Sequence, residues 1–166
     1  MLRWIKGVLA AGMIALVAAC GGGEENRPDI ASLAQQNPEL SVLAEAVAAA
    51  GLAPTLAGPG PYTVFAPTNA AFADLLQRFG MTKEALFADR ALLTKVLTYH
   101  VVAGRVLRQQ IPVGQPITTL QGETFTIDAN MNISDQCGCT ARIVATDVLA
   151  GNGVLHVIDH VLLPKL

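Results

Sequence analysis

The chain has 166 residues, of which 52% are hydrophobic and 14% charged, a balance that supports a folded domain with its own core and excludes a disordered polyelectrolyte. Of its eleven Lys and Arg, Arg3 and Lys6 fall in an N-terminal leader, which leaves nine basic against thirteen acidic residues and a net charge of −4. With no Lys/Arg cluster to neutralise phosphates, nucleic acid is excluded as a partner.

Arg3 and Lys6 precede an apolar run from Gly7 to Ala19, the charged n-region and short h-region of an export signal. The run falls short of the roughly 20 apolar residues that a transmembrane helix needs. It ends in Val17-Ala18-Ala19-Cys20, which resembles a lipobox. That resemblance implies a diacylglycerol thioether on Cys20, cleavage before its amine, and further acylation, so that two or more chains hold the protein in a bilayer. Gly21 to Pro28 carries no apolar residue and reads as a flexible tether. The expected division is therefore a lipoprotein signal peptide over 1–19, a tether over 20–28 starting at lipidated Cys20, and one domain over 29–166. Gly21 in place of Asp after the lipidated Cys points to the outer membrane in a cell that has one, on the periplasmic or extracellular face of the envelope.

Asn37-Pro38 reads as an N-cap with proline at the first helical position, and Leu40, Leu43, Val47 and Ala50 then recur on one face until Gly51. Tyr62 to Phe65 is rich in strand formers and is closed by Ala66-Pro67. Thr68 or Asn69 caps a helix with Phe72, Leu75, Leu76 and Phe79 on its core face before Gly80. Thr82 starts a short helix. Asp89 caps another, in which Leu92, Leu93, Val96, Leu97 and His100 share a side.

After Gly104 the texture changes to short β-like runs at Ile117 to Leu120, Thr124 to Asp128, Ala141 to Thr146 and Val154 to Leu163. Gly122, Asn130-Met131-Asn132 and Asn152-Gly153 punctuate them as turns. Helices first and strands later predict an α+β fold with helices on a mainly antiparallel sheet.

Little in the chain points to catalysis. No G-x-S-x-G elbow, Walker A loop or H-E-x-x-H occurs, and Asp74, Asp89, Asp128 and Asp135 fall in capping, helix-surface or turn contexts. His156 and His160 lie in a strand context, where four residues separate side chains by roughly 13 Å, too far for one metal. No metal site, no cofactor and no enzymatic activity is expected. Cys137-Gly138-Cys139 leaves three readings open: a disulfide, for which Gly138 can take the tight turn; a soft-metal site, copper with Met131 as third ligand; or a redox pair. The missing C-x-x-C spacing and the lack of a second ligand cluster favour the disulfide, which an exported location would allow to form.

Three stretches carry a family resemblance: Tyr62-Thr-Val-Phe-Ala-Pro-Thr-Asn-Ala-Ala-Phe72, the pair Tyr99-His100, and Thr146-Asp-Val-Leu-Ala-Gly-Asn-Gly-Val-Leu-His-Val-Ile-Asp-His-Val-Leu-Leu-Pro164. Together they resemble the fasciclin (FAS1) domain, a family of extracellular adhesion and matrix modules, over about Asp29 to Leu166. The resemblance implies a twisted β-wedge of about seven strands flanked by helices. It further implies cell adhesion or surface recognition, with a protein or a matrix or polysaccharide surface as ligand. By position it carries over two binding regions: Tyr99-His100, and Asp147-Val148-Leu149 just before the Asn152-Gly153 turn. For Tyr99 and His100 the apolar flanks favour a place in the core. Asp147 is the stronger contact, although its carboxylate also has the chemistry to tie a turn. The alternative function is a periplasmic accessory protein handling copper or redox through Cys137 and Cys139.

Overall fold

The computed structural model describes residues 27–165. The leader, Cys20 and the greater part of the tether lie outside the described residues.

Local capping chemistry sets the helices. Helix α1 (Ile30–Gln36) begins where Asp29 accepts the Ser32 N–H, and Asn37 caps a 3-10 turn (Pro38–Leu40) that runs into α2 (Ser41–Ala49). A short α3 (Ala53–Leu56) precedes strand β1 (Tyr62–Pro67). Thr68 then caps α4 (Asn69–Phe79), which stops at Gly80 in the left-handed conformation, φ 61°. Thr82 caps α5 (Lys83–Ala88) and Asp89 caps α6 (Arg90–Tyr99). The strands that follow are β2 (Val101–Ala103), β3 (Pro116–Thr118), β4 (Thr124–Ile127), β5 (Asn132–Ser134), β6 (Thr140–Ala150) and β7 (Gly153–Ile158).

These seven strands form one sheet in the order β2-β1-β7-β6-β5-β4-β3. All neighbours are antiparallel except the β1–β7 pair, which runs parallel from Tyr62 opposite Gly153 to Pro67 opposite Ile158. The fold is α+β, as the order of helical and extended patterns predicts.

The parallel pair is covered on both sides, which is why its residues read as near-continuous apolar runs, interrupted by buried, hydrogen-bonded Thr63 and His156. Val64 and Ala66 of β1, with Leu155 and Val157 of β7, pack beneath the helices among Leu43, Val47, Leu93 and Leu97. Phe65 and Ile158 point the other way, into the wedge, where Tyr99, Phe125, Ile127, Ile133, Ile143 and Leu162 close a second cluster. Period-two alternation thus divides one strand between two cores.

The structure departs from the sequence pattern at several strands. Strand β7 ends at Ile158 rather than Leu163, because the Asp159 carboxylate accepts the Arg142 N–H and the chain bends there, leaving His160 outside the ladder. Strand β6 continues past Thr146 to Ala150. Asn132, expected in a turn, opens β5: Oδ1 of Asp128 takes the Asn130 and Asn132 N–H groups, and Met131 carries the tight bend at φ 64°.

Candidate functional site

Strand β6 slips against β7 twice, between Ile143 and Ala145 and between Ala145 and Val148. A β-bulge bends a strand and re-aims its side chains. At the second slip Asp147 adopts φ 58°, a left-handed conformation in which Asp is among the less penalised residues. The residue expected before a turn is therefore inside a strand, projecting from its irregularity.

Contacts around Asp147 come from three segments. Its Oδ1 accepts the Arg108 N–H at 2.8 Å, and its own N–H donates to Nδ1 of His156 at 3.3 Å. Nε2 of His156 faces the Val106 carbonyl at 2.8 Å. Since Nδ1 accepts, Nε2 carries the proton and the ring is neutral. Burial pushes this imidazole below its ordinary value, which agrees with that tautomer. The Val106 N–H in turn donates to Oγ1 of Thr63 at 2.8 Å, and that hydroxyl donates to the Gly104 carbonyl at 2.7 Å. The segment Gly104 to Arg108 is thus sewn to β1, β7 and the β6 bulge.

Asp147 and Leu149 are exposed, whereas Val148 is half-buried and lines a shallow groove with Leu33, Pro38, Leu40 and Leu155. The predicted triplet does not present one face. Beside it, Arg108 and Arg142 line a second groove with Asn130 and Thr146. Composition does not bring these two arginines together; the β6 bulge and the Gly104 to Arg108 segment do.

The other predicted region is interior. Tyr99 is wholly buried, its hydroxyl donating to the Thr124 carbonyl at 2.8 Å and its ring edge-on to Phe125 at 5.9 Å between centroids. His100 is also buried, with Nδ1 against the Val96 carbonyl at 2.8 Å and Nε2 accepting the Leu162 N–H at 2.9 Å. Burial pushes that imidazole down to about 4. Both residues are interior, and their polar atoms are bonded within the fold. Phe125 also packs edge-on against Phe65 at 5.1 Å, and Phe65 tilts over His156 at 5.4 Å. A line of packed aromatic rings in the wedge core lies between the two predicted regions, which share no surface.

Asn152 emerges as a key residue whose role the sequence conceals. Its Oδ1 accepts the Ile30 N–H at 3.0 Å, and its Nδ2 donates to the Leu56 and Gly58 carbonyls at 2.6 and 2.8 Å. It joins the start of α1 and the end of α3 to the β6–β7 turn. Next to it, a Cβ on Gly153 would collide with the Tyr62 carbonyl, so only glycine allows β7 to approach β1 here. Asn69 works similarly, its Oδ1 taking the Val42 N–H and its Nδ2 reaching the Pro38 carbonyl and Ser41 Oγ, which fixes α2 to the head of α4.

Cys137 and Cys139 are both free. In this reduced form the thiols on either side of Gly138 face different partners: Cys137 Sγ the Pro164 carbonyl at 3.4 Å, Cys139 Sγ the Arg78 guanidinium at 3.2 Å. Among the described residues, no three His, Cys, Asp or Glu gather as metal ligands, and no helix is long and apolar enough to cross a membrane. His160 pairs with its neighbour Asp159 at 2.8 Å and is half-exposed.

A profile of the fasciclin domain matches residues 38–164. Protein sll1483 of Synechocystis is 40% identical over 141 residues, which cover 82% of this chain and 74% of that protein. The cell surface glycolipoprotein MPB83 of Mycobacterium bovis is 38% identical over 140 residues, covering 81% of this chain and 60% of that one. Among solved structures, a FAS1 domain pair from the insect cell adhesion molecule fasciclin I superposes with a TM-score of 0.73 at 14% identity, over 82% of this chain and 51% of the pair. That likeness concerns the fold.

Proposed function

Since the chain belongs to the fasciclin domain family, we propose that it is a recognition module of the cell envelope that works by adhesion and not by chemical transformation. The observation that carries the reading is the β6 bulge. Asp147 is exposed there, yet its carboxylate accepts the Arg108 backbone N–H while its own backbone N–H is anchored on His156. A carboxylate fixed in this way loses little rotamer freedom when a partner docks, which favours binding. Exposed Leu149 adds apolar area beside it. The ligand class is a protein or a matrix or polysaccharide surface.

The anchor belongs to the same reading. A lipidated Cys20 with the tether to residue 28 would hold a domain over 29–166 close to the membrane, on the outer membrane where the cell has one. The relative named a cell surface glycolipoprotein supports that topology by analogy. Many copies on one surface would then convert weak single contacts into firm adhesion.

Immobilised protein exposed to envelope and extracellular-matrix extracts should retain a defined partner that Asp147→Asn releases at unchanged melting temperature. Equal retention by the variant would remove Asp147 from the contact. Turnover in a broad hydrolase substrate screen would end the adhesion reading.

A further inference from the structure

The loop joining β5 to β6, Asp135 to Cys139, is clasped from within. Oδ1 of Asp135 accepts the N–H of Cys137 at 3.0 Å and of Cys139 at 2.8 Å, while Oδ2 accepts the Leu163 N–H at 3.0 Å. The Asp135 N–H donates to the Cys139 carbonyl at 3.1 Å, and Gly138 turns the chain between the cysteines at φ 79°. Two thiols are therefore mounted two residues apart on a fixed base, Cys137 exposed and Cys139 half-buried.

Their surroundings differ in charge. Nη2 of Arg78, projecting from α4, donates to Cys139 Sγ at 3.2 Å. Among the described residues Arg78 makes no salt bridge, so its charge is available to the sulfur. That contact is also the main cause holding the guanidinium above its ordinary value. Cys137 faces the opposite situation: burial, then the nearby Asp135, push its thiol up, and it spends its hydrogen on the Pro164 carbonyl. Thiol–disulfide exchange uses two such sulfurs, one beside a cation to attack and a second close by in the chain to resolve.

We propose that Cys137 and Cys139 form a thiol–disulfide exchange site, in which Cys139 attacks, Arg78 positions and stabilises the attacking sulfur, and Cys137 resolves. The oxidant is a disulfide supplied from outside, either low-molecular-weight or carried by a protein. Cys139 gives its proton to solvent and its sulfur attacks one sulfur of that disulfide, whose S–S bond breaks and whose other sulfur leaves with the bonding pair and takes up a proton. Cys137 then gives its proton to solvent, rotates about its Cα–Cβ bond away from Pro164, and attacks Cys139 sulfur, expelling the second external thiol. The two protein thiols lose two electrons and the external disulfide becomes two thiols. Closure takes Cys139 from Arg78 and leaves the Pro164 carbonyl without its S–H donor. This inference is independent of the adhesion reading.

The test uses the full chain with Cys20→Ser throughout, reduced, mixed with oxidised glutathione, quenched in acid and read by intact mass and peptide mapping. Early quenching of the chain with both thiols should find glutathione on Cys139, and late quenching should find the chain two hydrogens lighter with no adduct. Cys137→Ser should stop at the Cys139 adduct, whereas Cys139→Ser should acquire its adduct about tenfold more slowly. Arg78→Gln should slow the first step severalfold, and Arg78→Lys should recover most of the rate. An early adduct on Cys137, or a Cys139→Ser rate equal to that of Cys137→Ser, overturns the assignment of the attacking sulfur. A stable adduct with no closure overturns the exchange site itself, and an unaffected Arg78→Gln removes Arg78 from it.

Discussion

The backbone N–H of Asp147 donates to Nδ1 of His156 across 3.3 Å, a bond that exists only while that ring nitrogen is unprotonated. His100 has the same requirement, since its Nε2 accepts the Leu162 N–H.

Stability should consequently fall on mild acidification. Both imidazoles have folded-state values below the ordinary 6.5, that of His100 at about 4. The unfolded chain therefore binds more protons than the folded one between those values, and stability rises with pH across the window. The contribution of neutral His100 is complete above about pH 6.5 and is lost progressively down to about pH 4, a difference of about 3 kcal/mol. Urea midpoints taken at intervals from pH 7.5 to pH 4 check this; a flat profile above pH 5 would show that neither ring is held neutral.

Replacing Asn152 should be among the most damaging single changes. Asn152→Ala leaves the Ile30 N–H and the Leu56 and Gly58 carbonyls without partners, a cost of about 3 kcal/mol. Asn152→Asp keeps the acceptor for Ile30 and loses both donors, so its urea midpoint should also drop. Gly153→Ala should fail to fold, because its Cβ meets the Tyr62 carbonyl.

At the bulge, charge and backbone conformation separate cleanly. Asp147→Asn keeps an oxygen for the Arg108 N–H and a residue type that tolerates φ 58°, so melting should not move. Asp147→Ala loses both and should cost about 1 kcal/mol by the left-handed backbone alone. Thermal melts of the two variants distinguish the effects before any binding is measured.

Membrane attachment is testable at Cys20. Radioactive palmitate should label the protein in its own cells and not label Cys20→Ser, which should be recovered in the soluble fraction. An unlabelled parent protein would mean that the leader directs ordinary secretion.

Cap chemistry is local, and so it was legible. Thr68, Thr82 and Asp89 bond to N–H groups three residues on, and Gly80 accepts a backbone shape that few others can. The α+β class followed from the change in periodicity after Gly104. The candidate site was harder to read. Asn152-Gly153 signalled a turn, but the partners of Asn152 lie at Ile30, Leu56 and Gly58, and no short-range pattern records them. Phe79 kept the helical spacing of a core residue, yet it is 47% exposed, because α4 ends there and its last turn overhangs the core. Asp147 looked like a loop residue because the slips of β6 against β7 are a property of two strands, not of one. The burial of Tyr99 and His100 agreed with their apolar flanks, whereas the Arg78 neighbour of Cys139 comes from a helix distant in the chain.

The single parallel pairing also dictates an order of assembly. Tyr62 finds Gly153 only after the chain has looped through nearly every other element, so the strand at the heart of both cores has no mate on one flank while the first half of the polypeptide is alone. Contacts of such long sequence separation make for slow, all-or-none acquisition of structure. A chain interrupted before β7 should therefore remain soft and protease-sensitive throughout, with no half able to stand by itself.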